Sequence, residues 1–230
     1  MTSTDLRPLH RRALEVAAPY VAGIDGDSLD RPTPCAGWDL RTLLAHVVGQ
    51  HHGFAAAVTG GDAPPEAYAH RRVTPGRIAA DWQESADRMT AAFAAAPLDR
   101  PVRLVEISTE QRFPAGTVVG FQLLDTVIHT WDVASALGAD FVPDPELAGV
   151  TLQLARLIPQ GESRLGPGAA FAPVVAGARP DEWAQALALT GRSGPTPVDA
   201  DSYPTQPAES AVAAAGRPPR WRHGDGVLRW

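Results

Sequence analysis

The sequence predicts a mainly α-helical protein, a four-helix bundle followed by a smaller C-terminal extension. Three observations point there. Apolar residues recur every three or four positions through most of the first 160 residues, the period of a helix with one buried face. Gly and Pro clusters break that pattern at intervals suited to loops. The chain has 230 residues, 44% hydrophobic and 20% charged, ordinary for one domain with an appendage.

The first helix is expected over residues 6–22, where Leu6, Leu9, Ala13, Leu14, Ala17 and Val21 fall near one face. Residues 23–34 hold turn residues and two prolines, and form a loop. Asp39 is a good N-cap for a second helix running through Leu40, Leu43, Leu44, Val47 and Val48 to about Thr59, where Gly60 and Gly61 stop it. A third helix is expected over 75–96, with Pro75 in its first turn and a stripe of Ile78, Trp82, Ala86, Met89 and Phe93. Residues 102–113 allow a short hairpin or an extended link. A fourth helix over 115–137 ends at Gly138, and a fifth runs from Asp144 or Pro145 to about Ile158. Beyond Pro159 the chain is rich in Gly, Pro and Ala, with a short helix expected over 181–189. From Gly194 onward little apolar surface is available, so an extended or loosely attached segment is expected. Its exceptions are a possible helical patch at 209–215 and the aromatic ends of 221–230, which could dock on a surface. The organisation is thus a bundle over 1–160 and an extension over 161–230, partly irregular and packed on it.

Composition excludes several functions. The formal charge is −6 and the sequence pI is about 5.6. With no basic run, nucleic acid is not an expected partner, because phosphate contacts need a basic surface. All 20 strong cations are arginines, so lysine Schiff-base chemistry is ruled out. A single cysteine, Cys35, forbids an intramolecular disulfide and fits a reducing compartment. With no signal-peptide core and no apolar run of membrane-spanning length, a cytoplasmic protein with no membrane partner is expected. A monomer or a homodimer fits equally well.

Two histidines fall in the middle of apolar helices: His46 in the second and His129 in the fourth. Asp125 precedes His129 by one turn on the same face. A carboxylate and an imidazole on one helix, with an imidazole from another, supply three ligands for a divalent ion and leave positions open. That donor set suits zinc, with nickel, iron or manganese also compatible. The blander reading is a core histidine and an ordinary i,i+4 hydrogen bond, and spacing alone favours it.

Longer motifs shift that balance. Residues 33–49 read TPCAGWDLRTLLAHVVG and resemble the TPCxGWxxxDLLAHVVG motif of actinobacterial DinB/YfiT-like proteins. Residues 125–138 read DTVIHTWDVASALG and resemble the partner motif DxxxHxWDLAxAxG. FAPVV at 171–175, Asp181 and LALTGR at 187–192 resemble the end of the same family. The likeness covers roughly residues 6–192, and the nearest grouping is akin to the N-terminal domain of mycothiol-dependent maleylpyruvate isomerase. The resemblance implies a DinB-like four-helix bundle and metal ligands at His46, Asp125 and His129. Asp125 stands where that isomerase has a Glu, one methylene longer.

Around these ligands, Trp38, His52, Trp131 and Asp132 are candidates for the surrounding pocket, Asp132 as a group that orients a ligand. His51 and His52 turn away from the face of His46 and read more readily as exposed polar residues. Cys35 reads as a small packed residue and not a nucleophile, because no basic group flanks it in sequence. Arg41, Arg71, Arg72 and Arg77 are candidates for meeting an anionic thiol or substrate. The resemblance also implies thiol chemistry, with a low-molecular-weight thiol such as mycothiol as co-substrate and a small electrophile as substrate. Two alternatives stay open: a thiol-independent metalloenzyme (hydrolase, isomerase or cyclase) in small-molecule biosynthesis, and a non-catalytic metal-binding protein.

Overall fold

The computed structural model describes residues 4–165 and 169–194. Helix α1 (Arg7–Ala22) carries a proline in its first turn, where the missing N–H costs nothing. Helix α2 (Leu40–Gly60) is capped by Asp39, whose carboxylate accepts from the Thr42 N–H at 2.8 Å, and it ends at Gly61 in the left-handed region. Helix α3 (Ile78–Ala95) begins at Ile78, not at Pro75 as expected. Pro75 and Gly76 make a turn instead: Gly76 has φ +84° and the Arg77 N–H reaches back to the Thr74 carbonyl at 3.0 Å. A short hairpin follows, β1 (Pro101–Arg103) against β2 (Arg112–Pro114), antiparallel with Val102 opposite Phe113.

Helix α4 (Ala115–Leu137) follows at once and ends at Gly138. Helix α5 (Pro145–Ala155) is capped by Asp144 and stops at Ala155, short of the expected Ile158. Leu157 and Ile158 tighten into i→i−3 bonds ahead of Pro159, which cannot continue the helix. Helix α6 (Glu182–Leu189) is capped by Asp181. One-turn 3-10 helices lie at Asp27–Asp30, Pro65–Tyr68 and Glu162–Arg164. The patch expected at 209–215 and the aromatic ends at 221–230 lie outside the described residues.

α1 packs on α3 and α4, and α2 packs on the same two helices. The four therefore form a ring in which α1 and α2 face each other across one diagonal, and α3 and α4 across the other. Both crossings need long connections, supplied by residues 23–39 and by the hairpin segment 96–114. α5 packs on α4, and α6 on α5. Two apolar clusters result. One joins Leu43, Phe54, Trp82, Met89 and Val118 inside the bundle; the other joins Leu123, Ile128, Leu147, Trp183 and Leu187 beneath α5 and α6. α4 takes part in both and is buried almost all round, which shields the middle of that helix from water. Among the described residues, no helix is long and apolar enough to cross a membrane.

Candidate metal centre

α2 and α4 are neighbours, and they bring the three expected ligands together. His46, Asp125 and His129 each offer an atom within 4.8 Å of the others, and all three are buried. His129 Nε2 lies 3.2 Å from Asp125 Oδ1, and the rings of His46 and His129 meet edge to face at 5.4 Å. His46 is 1% exposed, yet neither of its ring nitrogens has a hydrogen-bond partner. Burial, with the charge of His129 beside it, pushes its pKa down to about 3, so the ring is neutral and carries a lone pair. A buried, unpaired nitrogen costs roughly 1–3 kcal/mol unless something binds it. The orphaned imidazole and the two-nitrogen, one-oxygen donor set fit a divalent ion.

His129 is held from both sides. Its Nδ1 donates to Asp132 Oδ2 at 2.8 Å, and Asp132 in turn accepts two bonds from Arg192, at 2.8 and 2.6 Å. Burial alone would raise Asp132, but Arg192 beside it holds the carboxyl well below the usual range. An ionised Asp132 fixes the proton of His129 on Nδ1 and directs Nε2 toward Asp125 and His46. Burial pulls His129 down, but Asp125 and the bonds to both carboxylates outweigh it, and its pKa lies well above the ordinary histidine value. Gln122 steadies the other oxygen of Asp125 with an Nε2 donation of 3.3 Å.

Cys35 is not simply packed. Its Sγ lies 3.1 Å from Asp132 Oδ2, 3.4 Å from Arg192 Nη2 and 3.9 Å from His129 Nδ1. The basic neighbour that the local sequence lacks arrives from the far end of the described chain. Cys35, His129 and Asp132 also come within 4.8 Å of one another. Arg192 already supplies the cation there, so His46, Asp125 and His129 remain the better cradle.

The other expectations divide. Trp38 packs its ring 4.8 Å from that of His46. Trp131, two residues beyond His129, faces the opposite side of α4; it lines a separate cleft of about 780 Å³ with Phe141 and Trp183. His52 is half-buried on α2 and lines no part of the site. His51 is buried, not exposed: it faces α3, where its Nδ1 donates to Ser85 Oγ at 2.8 Å while Ser85 donates to the Trp82 carbonyl. Arg41 pairs with Asp30 at the surface and Arg77 with Asp81 and Glu84, while Arg71 and Arg72 are exposed.

Sequence reasoning missed His70, Arg164 and Arg192 in the site. His70 lies on a loop, where no periodicity marks it, and its ring sits 5.5 Å from His46 and 5.6 Å from Trp38. Two glycines of α2 let that loop approach: a Cβ on Gly49 would stand 2.6 Å from the Ala69 carbonyl oxygen, and one on Gly53 would stand 2.1 Å from the Tyr68 ring. Arg164 and Arg192 line a cleft of about 620 Å³ together with Cys35, Trp38, Asp125 and His129. His46 lies behind that surface.

Known proteins share this architecture. Two crystal structures of mycothiol-dependent maleylpyruvate isomerase, one of them a histidine-to-alanine mutant, superpose with TM-scores of 0.54 for the mutant and 0.51 for the other. The mutant is 19% identical, covering 73% of this chain and 75% of its own; the other is 18% identical, covering 67% and 68%. At that identity the likeness establishes the fold. An uncharacterised protein found in two strains of Mycobacterium tuberculosis is 31% identical over 168 residues, 71% of this chain and 84% of the relative. Residues 10–134 match the model of the mycothiol maleylpyruvate isomerase N-terminal domain, and that stretch contains all three candidate ligands. By this match over more than half its length, the chain belongs to the mycothiol maleylpyruvate isomerase N-terminal domain family.

Proposed function

We propose that this chain is a divalent-metal-dependent enzyme that activates a low-molecular-weight thiol of the mycothiol type for transfer to, or isomerisation of, a small electrophilic substrate. The observation that carries this reading is the orphaned His46 imidazole, buried beside Asp125 and His129 at the back of a cleft. The thiol is suggested by the family and by the related crystal structures, which are of an isomerase dependent on mycothiol and acting on maleylpyruvate. The arginines lining the cleft favour this reading over a thiol-independent metalloenzyme, for which a closed apolar pocket is expected.

His46, Asp125 and His129 would hold the ion, zinc by preference, with nickel, iron or manganese compatible with the same donors. A divalent ion there supplies Lewis acidity, which deprotonates a thiol near neutral pH. The chain's own contribution is orientation and exclusion. Asp132 and Arg192 fix the tautomer of His129. Trp38 and His70 wall off His46, so that approach is through the cleft where Asp125 and His129 surface.

Elemental analysis of the native protein should find a single divalent ion per chain, and a His46→Ala/His129→Ala variant should have lost it. Equal metal content in the two would remove the centre. Metal-loaded protein titrated with mycothiol should give a calorimetric isotherm and, after cobalt substitution, a sulfur-to-cobalt absorption band. No binding at millimolar thiol with metal in place would leave the metal centre standing and remove the thiol.

A further inference from the structure

His46 and His129 are not equally provided for. A neutral histidine that binds an ion through one nitrogen carries a hydrogen on the other, and that N–H needs an acceptor. Asp132 accepts it from His129. His46 has no such partner. Both of its nitrogens are buried and unbonded, and an ion beside Asp125 and His129 accounts for only one of them.

Three rings pack against His46: Trp38 at 4.8 Å, His129 at 5.4 Å and His70 at 5.5 Å between centroids. His129 already has a carboxylate at each nitrogen. Trp38 has only an N–H to give. A neutral His70 has a ring nitrogen that accepts, and its spacing suits the bond. Two imidazoles joined by an N–H···N bond of about 3 Å have centroids roughly 5 Å apart, because each nitrogen stands about 1 Å from its ring centre. His70 is exposed and its plane is turned 76° from that of His46, so a small rotation of its ring closes the gap. The backbone on either side of His70 is held. Ala69 lies against Gly49, and the Arg71 N–H bonds the carbonyl of Ala45, the residue before His46, at 2.9 Å. Another unpartnered acceptor, Gln50 Oε1, lies one turn along α2, but its amide is tied to Glu106 at 2.8 Å. We propose that His70 is a positioning residue of the centre: it accepts the free ring N–H of His46 and holds that imidazole aimed at the ion, as Asp132 does for His129. This rests on the reading above that His46 is a ligand.

Substitution separates the ring of His70 from its acceptor. His70→Phe keeps an aromatic ring against His46 and removes the lone pair, whereas His70→Gln keeps an acceptor and removes the ring. Zinc affinity is measured on the full chain by chelator competition at pH 8, where an ordinary histidine is neutral. His70→Phe should weaken zinc by about 10–100-fold, the range for lost outer-shell partners, and His70→Gln should stay close to native. Native affinity in His70→Phe, or an equal loss in His70→Gln, overturns the proposal. Gln50→Met should bind zinc as the native protein does; if it weakens binding while His70→Phe does not, the acceptor is Gln50 and the proposal falls. His46→Ala is the control for the centre. Native affinity there removes the ligand and the proposal with it, whereas a weak His46→Ala beside an unaffected His70→Phe removes the role of His70 alone. Zinc-loaded native protein, labelled with nitrogen-15 in its histidines, gives a readout that needs no variant to fold. A coupling between ring nitrogens across the hydrogen bond should link His46 to His70, and a His46 N–H coupled to no second nitrogen overturns the proposal.

Discussion

His129 stands between two carboxylates, with Asp125 at Nε2 and Asp132 at Nδ1. In metal-free protein the raised pKa keeps a proton on each nitrogen near neutral pH, so an incoming ion must displace the one at Nε2. Metal affinity should accordingly rise with pH, and binding at pH 7 should release about one proton. Calorimetry in two buffers of different ionisation heat measures it, and zero release would mean that His129 is already neutral. Replacing Asp132 by Asn keeps an acceptor for Nδ1–H but removes its charge and strands Arg192. Metal affinity should fall by about 10–100-fold, the range for lost outer-shell partners, as read by chelator competition. The pairing of Asp125 with His129 was legible in sequence because helical period places i and i+4 on one face. Arg192 was not, since the bond from Arg192 to Asp132 joins residues 60 apart, across α5, α6 and the loops between them, which no local pattern links. The neighbours of Cys35, Arg192 among them, stayed hidden for the same reason.

At the level of elements, α2 carries a notch. Gly49 and Gly53 stand one turn apart, and the segment from Tyr68 to His70 lies against them. Alanine at either position gains up to about 1 kcal/mol of helix propensity. The collision it creates, with a carbonyl oxygen or the inner atoms of a tyrosine ring, costs about 1–3 kcal/mol and should win. Gly49→Ala should therefore lower the melting temperature and loosen His70 from His46. Gly60, with nothing within 4 Å of a Cβ, is the internal control, and Gly60→Ala should be neutral or stabilising. Thermal denaturation of both decides it; a stable Gly49→Ala would show that the loop yields. Helix positions were readable from caps and from the apolar period, Asp39, Asp144 and Asp181 each capping as a short acceptor should. The late start of α3 and the early end of α5 were less so, because Gly76 in one case and tightened i→i−3 bonds in the other decide the boundary.

Across the whole molecule, burial of histidine makes stability depend on acid. Burial pushes His10 down to about 4 and His51 to about 3. Both are neutral when folded, whereas the unfolded chain titrates near 6.5, so between those values the unfolded state binds more protons. Their contribution is complete above about pH 6.5 and is lost as pH falls toward 4, at roughly 1.4 kcal/mol per pH unit for each histidine. Urea denaturation at pH 7, 6 and 5 with chelator present should show the decline, and His10→Leu should flatten it. An unchanged slope in that variant would show that His10 is not its source. The bundle as a whole was readable from sequence, but its diagonal crossings depend on long-range packing. The cleft shows what that architecture permits. One wall is formed by α4 and the short segment ahead of α2, and lies within residues 10–134, the stretch shared with the family. The opposing wall, with Arg164, Phe171 and Arg192, comes from later turns and loops. The α4 face that carries Asp125 and His129 tolerates little change of spacing, while loops accept substitution and insertion readily. Descendants of one ancestral chain can thus keep the candidate ligands in place and differ in the shape of the cleft, by rewriting a stretch of loop that holds none of them.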